Sequence, residues 1–228
     1  MKALITSAAS DVGRLLVKGL GDAIDLVATD LPEVADSVGA TSCPLDADEA
    51  TRDLVTGVDA IVHVAGVSQA SADAFGRADN AAVDYHSRCT YNLLTAAAEA
   101  GVDHVVYLSS LLLFADCDAS WDVTEVWQPR PTTEIETMRH AIGEFTCREF
   151  ARERKIKVTC LRIGTPGNKE APFSGDRLFN DDLVTAVRNA LDRPPSAWAI
   201  YHVQSDVEGR RFNISKAVEV GLFEGGRS

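Results

Sequence analysis

At 228 residues, with 46% hydrophobic and 25% charged side chains, the chain has the bulk for one soluble globular domain with a substantial core. A formal net charge of −12 excludes a phosphate-backbone binder, which needs a local excess of Lys and Arg; the cluster Arg152-Glu153-Arg154-Lys155 is broken by an acid and reads as a solvated helix end. No run approaches the roughly 18 apolar residues of a membrane span, so neither nucleic acid nor membrane is an expected partner.

The chain opens on a strand over 2–6 with no signal-peptide pattern ahead of it, and a cytoplasmic protein is expected. Further short apolar runs predict strands over 25–29, 42–44, 60–64, 104–108, 157–162 and 199–202. Helical spacing of apolar residues covers 12–20, 83–100 (stopped by Gly101) and 137–154. This alternation is the pattern of βαβ units. It predicts an α/β fold, a Rossmann doubly wound parallel sheet with helices on both faces, as one domain over 1–228 with a small C-terminal substrate-side region. Two segments lack periodicity. The stretch 116–134 carries Trp121, Trp127, Pro129 and Pro131, and 164–175 is rich in Gly and Pro. They mark substrate-side loops at about 115–135 and 164–180, leaving the C-terminal ends of strands where open α/β sheets place their ligand crevice. The two tryptophans either cover a ligand or anchor their own loop. Cys43, Cys89, Cys117, Cys147 and Cys160 are scattered, without CxxC spacing, and read as reduced thiols rather than a metal site or disulfide framework.

The first strand runs into Thr6-Ser7-Ala8-Ala9-Ser10-Asp11-Val12-Gly13, placed as a dinucleotide turn should be, between strand and helix N-terminus. This segment resembles the Thr-Gly-x-x-Gly-x-x-Gly turn of the extended short-chain dehydrogenases, the NAD-dependent epimerase/dehydratase family. Only Gly13 keeps the glycine; Ser7 and Ser10 stand where the family has the other two. Those glycines make the sharp turn and let pyrophosphate approach the backbone. Asp11 is read either as the helix N-cap or as a carboxylate competing with phosphate for the helix N-terminus. By the same resemblance Asp30 is the acid on the adenosine ribose, favouring NAD over NADP, and Asp46 is the adenine contact. Ala65 and Gly66 pass under the cofactor, with Ser68 beyond them on the substrate side. NAD is the implied cofactor, and the degenerate turn leaves its retention open.

The resemblance extends along nearly the whole chain. Tyr107-Leu108-Ser109-Ser110 is similar to the strand ending at the family's active-site serine, Ser110. Arg130-Pro131-Thr132-Thr133 resembles the segment that introduces its active-site helix, and Ala141-Ile142-Gly143-Glu144 resembles that helix's continuation. Asp181-Asp182-Leu183-Val184 and Arg211-Phe212-Asn213-Ile214-Ser215-Lys216-Ala217 look most like the uronate-dehydrogenase-like branch. In the family a Tyr trades the proton while a Lys four residues on lowers its pKa. Counting back from Glu144, those positions hold Glu136 and His140, and no tyrosine lies between Tyr107 and Tyr201. Ordinary Tyr/Lys hydride chemistry is therefore not expected. His86 stands where the family has an Asn, Arg177 is a candidate anion clamp, and Leu111-Leu112-Leu113-Phe114 is apolar where uronate dehydrogenases carry polar groups. His104 and His202 read as structural.

An i,i+4 acid–imidazole pair on one helix face is read either as a site that positions a base or shuttles a proton near neutral pH, or as an ordinary surface ion pair. Three readings follow. One is an NAD-dependent enzyme of the family acting on a small polar molecule with a non-standard proton donor. Another is a cofactor-independent lyase, isomerase or cyclase using Glu136, His140 and Ser110. The last is a non-catalytic nucleotide- or partner-binding protein. The family's four-helix pairing also implies a homodimer, for which Tyr91, Leu94, Ala98, Phe145 and Phe150 offer apolar surface; core packing accounts for the same residues.

Overall fold

The structure, a computed structural model, describes residues 1–67, 78–168 and 175–223. Among these, β1 (Lys2–Ile5), β2 (Asp25–Asp30), β3 (Thr41–Ser42), β4 (Ala60–His63), β5 (His104–Ser110), β6 (Lys157–Ile163) and β9 (Trp198–Val203) form one sheet in the order β3-β2-β1-β4-β5-β6-β9. Every neighbouring pair is parallel. The central strands are buried on both faces, which is why β1, β4, β5 and β6 are rich in apolar residues without a strict polar–apolar alternation, the few polar side chains on them being buried as well. All seven strands stand where the sequence placed them, each within a few residues.

Helices cover both faces, as the doubly wound reading requires. One face packs α2 (Glu49–Val55), α4 (Thr90–Ala100) and α5 (Ile135–Arg152) through Leu54, Leu93, Leu94, Cys147 and Phe150. The other packs α1 (Asp11–Leu20), α6 (Asn180–Asp192) and α7 (Ser215–Glu219) through Leu16, Leu20, Leu183, Val187 and Ala217. Leu94 and Phe150, offered as interface surface from sequence, are core residues, whereas Tyr91 and Phe145 are exposed. All five cysteines are free, and four are buried.

The helix expected over 83–100 is not continuous. It runs as α3 (Ala78–Asp84), one π-helical turn at Tyr85–Cys89, then α4. The Thr90 hydroxyl donates to the Tyr85 carbonyl at 2.8 Å, helping to hold that wide turn. Its effect is to send Tyr85, His86 and Cys89 all inward. The segment after β6, expected to be irregular, contains a parallel two-stranded ribbon, β7 (Thr165–Gly167) with β8 (Arg177–Phe179). The excursion over 116–134 is anchored on itself: the Trp121 and Trp127 rings meet at a tilt with their centroids 5.4 Å apart, and Leu111, Leu113, Phe114, Val123 and Phe212 form a small separate core. Arg211 ties it down through Nη2, which donates to the carbonyls of Phe114, Ala115 and Cys117.

Candidate active-site cleft

Where β1 and β4 lie side by side, the chain leaves their C-terminal ends in opposite directions, and a cleft of about 340 Å³ opens there. It is walled by Ser10, Asp11 and Val12 at one end and by Ser110, His86, Arg139 and His140 at the other, with Ala65 and Gly66 between. The switch point of an open α/β sheet is where such a ligand crevice belongs.

The turn after β1 keeps the geometry of a glycine turn without its glycines. Ser7 adopts a left-handed φ of 56°, which an L-residue occupies at a cost of about 1–2 kcal/mol. Ser10, not Asp11, is the N-cap of α1: its Oγ accepts from the Gly13 N–H at 3.0 Å and donates to the Ser7 carbonyl at 2.7 Å. Gly13 is retained because a Cβ there would lie 2.0 Å from the Ser7 carbonyl oxygen. Most amides of the turn are engaged: Ala8 donates to the Thr29 carbonyl, Ala9 to Asp30 and Ser10 to the Ser7 carbonyl. The N–H groups of Asp11 and Val12, at the helix N-terminus and in the cleft wall, are the ones left for a phosphate.

Asp30 is buried at the end of β2, its two oxygens accepting from the Ala9 and Leu31 N–H groups at 2.7 Å each. Burial raises its pKa, and those two N–H groups oppose the shift. Each oxygen keeps a lone pair for a ribose hydroxyl. Asp46 is half-exposed and paired with Arg88, which also forks onto Asp84. Ala65 is buried with φ 52° beside Gly66, where a Cβ would come within 3.0 Å of Ser10 Oγ. Two amides at a helix N-terminus, a small-residue floor and an acid at the end of β2 fit an NAD molecule along this edge.

At the other end, Ser110 Oγ accepts from the Leu112 N–H at 3.1 Å, which leaves the hydroxyl proton free to donate into the cleft. His86, turned in by the π turn, meets His140 edge-on at 4.9 Å between ring centroids. Burial lowers the His140 pKa to about 3. His86 is lowered well below the usual imidazole range by burial first and by the neighbouring His140 and Arg139 next. Both rings are neutral at pH 7. The proton shuttle near neutrality expected of His140 is therefore removed by desolvation of the charged form.

The expected Glu136–His140 pair does not form. Glu136 lies in the first turn of α5 with 62% of its side chain exposed, and binds Arg139 Nη2 at 2.6 Å instead. It is absent from the cleft wall, where Arg139 stands. Arg177 sits in β8 with its guanidinium 5.8 Å from the Phe179 ring centroid, likewise outside the cleft wall. Ser68 lies outside the described residues. No cluster of three or more metal-ligating side chains occurs among the described residues, and no helix among them is long and apolar enough to cross a membrane.

Three residues of this region were not singled out from the sequence. Tyr107 on β5 places its phenol oxygen 2.9 Å from His86 Nδ1. Gly143 makes room for it: a Cβ there would lie 1.8 Å from that oxygen. Arg162 on β6 forks onto Glu144 through Nε and Nη2 at 2.8 Å each, with Ser109 Oγ donating to the same carboxylate at 2.6 Å. Removing one member of so buried a pair costs about 3–5 kcal/mol. A glycine in mid-helix was the available signal for the first two, since such a residue usually answers a packing need.

Fold and cleft together define a Rossmann-type nucleotide-binding architecture. The chain belongs to the NAD dependent epimerase/dehydratase family, whose profile matches residues 3–194. It is 27% identical over 214 residues to a uronate dehydrogenase of Pseudomonas putida, covering 89% of this chain and 76% of that protein. A uronate dehydrogenase of Pseudomonas syringae pv. tomato is 25% identical over 210 residues, covering 89% and 74%. The same fold is seen in a short-chain dehydrogenase/reductase superfamily protein from Agrobacterium tumefaciens with bound NAD, at a TM-score of 0.78 and 19% identity, covering 100% of this chain and 93% of that one.

Proposed function

We propose that the chain binds NAD along the C-terminal edge of the sheet and a small polar, oxygen-bearing molecule in the adjoining cleft, without the family's tyrosyl proton transfer. One observation carries this reading: a single cleft is continuous from the free Asp11 and Val12 amides to Ser110, His86 and His140. Bound there, NAD supplies a hydride acceptor. The amides hold its phosphate, Asp30 accepts from the ribose, and Ser110 donates to the substrate oxygen. The neutral imidazoles act as hydrogen-bonding groups, since a ring with a pKa near 3 is a weak base and remains uncharged. A neutral imidazole can still polarise a carbonyl as an electrophile.

Titration of the purified protein with NADH, followed by fluorescence and calorimetry, tests the cofactor half. Saturable binding below millimolar concentration is expected, and its absence at millimolar NADH would overturn the reading. The cofactor-independent acid–base alternative is less well supported, because burial makes His140 a weak base and Glu136 is exposed and bound to Arg139. A binding protein without turnover is favoured by those same neutral histidines. It is separated from the enzyme by incubating the protein with NAD and D-glucuronate and looking for NADH.

A further inference from the structure

The cleft has a third layer behind its histidines. His86 is 1% exposed, and its Nδ1 meets the Tyr107 phenol at 2.9 Å, while its second nitrogen, Nε2, has no partner. The Tyr107 ring comes from β5, three residues before Ser110, and reaches His86 across α5 at the one point where that helix has no side chain. At Gly143 a Cβ would lie 1.8 Å from the phenol oxygen, 2.6 Å from the ring carbon bearing it, and 3.1 Å from His86 Nδ1.

We infer that Tyr107 is the positioning residue of this site: its phenol donates to His86 Nδ1 and holds the ring as the Nε2–H tautomer, so that the cleft offers an N–H donor to a ligand oxygen. This deepens the proposed function and rests on its placing a ligand in the cleft. The direction of the bond follows from counting donors. The phenol makes no other hydrogen bond, and burial pushes its pKa well above the usual range, so its proton stays on oxygen. Were Nδ1–H the donor, the phenol hydrogen would be stranded in the closed space behind Gly143, and Nε2 would be a bare acceptor. With the phenol donating, the one unsatisfied donor is Nε2–H, on a ring that lines the cleft. A buried donor without a partner is costly, and a ligand oxygen removes that cost.

The surroundings reinforce a donor rather than an acceptor. The charged group on α5 that acts on His86 is Arg139, itself paired with Glu136, and the neighbouring rings His140 and His63 are neutral; Asp84 and Arg88, on its own segment, are bound to one another. Ser110 adds a hydroxyl proton, and Arg139 Nε is a further buried donor without a partner. The cleft is thus donor-rich at one end and recognises oxygen acceptors: a carbonyl, a carboxylate or an alkoxide-like oxygen.

The test is long-range proton–nitrogen correlation on protein labelled with 15N-histidine, unliganded, at pH 7, with His86 assigned by its loss in His86→Asn. The expected result is a protonated Nε2 and a hydrogen-bond-accepting Nδ1. In Tyr107→Phe, which keeps the ring and removes one oxygen, Nδ1 should move to the position of an unbonded nitrogen. A protonated Nδ1 in the parent protein overturns the inference, and so does an Nδ1 resonance unmoved by Tyr107→Phe. A packing contact alone would leave both nitrogens where they were. Because the measurement needs no cofactor, its outcome is independent of whether NADH binds.

Discussion

Ser7 shows how a single residue decides what the phosphate turn can do. Its φ of 56° is the conformation for which the family uses glycine, and its buried hydroxyl lies beside the Tyr85 phenol without a well-formed hydrogen bond for either. Glycine at this position relieves about 1–2 kcal/mol of left-handed strain. It gives back about 0.5–1 kcal/mol in chain entropy. Ser7→Gly is therefore expected to raise the urea midpoint slightly and tighten NADH binding by opening the backbone to phosphate. A fall in the midpoint would show that the Ser7 hydroxyl is bonded to Tyr85 after all. Ser10 is a different case, because its side chain caps α1 and closes the turn on the Ser7 carbonyl. Two serines at glycine positions look alike in the sequence. Only the backbone distinguishes the strained one from the capping one.

At the scale of elements, the central strands were legible because each is a short, buried, mainly apolar run bounded by polar turns, as strands covered on both faces are. The helix of the cleft was legible as a helix but not as a broken one. A π turn shifts register by a single residue, and inward Tyr85, His86 and Cys89 look in sequence like an ordinary mixed face. The β7–β8 ribbon was hidden by Pro166 and Gly167, residues that argue against a strand. Among the candidate residues, Ser110 and His140 line the cleft, and His86 joins them by way of the π turn. Glu136 does not, since spacing gives a position along a helix but not the competitor that captures the side chain. Here the competitor is Arg139, one turn away, and an exposed i,i+3 pair of that kind is worth less than about 1 kcal/mol. That small energy is enough to orient a side chain that nothing else holds.

Across the whole molecule, all five histidines carry depressed pKa values. Burial, the largest cause in each case, takes His63, His140 and His202 to about 3 and His104 to about 4, and takes His86 well below its usual range. An unfolded histidine titrates near 6.5. Between that value and the folded ones, the unfolded chain binds more protons than the native protein. The stabilisation is therefore complete above about pH 6.5 and is lost as pH falls toward 3. The urea midpoint should drop steeply between pH 7 and pH 5, above the range in which ordinary carboxylates titrate. A midpoint flat over that interval would mean that these rings take up protons in the native state.

The contact across Gly143 makes one position depend on another distant in sequence. The phenol oxygen and the ring carbon beneath it both occupy the space a Cβ would need, at 1.8 and 2.6 Å. Tyr107→Phe alone therefore cannot license an alanine at 143, since the ring carbon remains. Gly143→Ala should be severely destabilising in the parent and in Tyr107→Phe, yet tolerated beside Tyr107→Leu. A double-mutant cycle in urea would register this as a coupling of opposite sign to the single effects. The constraint written into the packing runs one way: position 143 is not free to gain a side chain until the ring at 107 has gone.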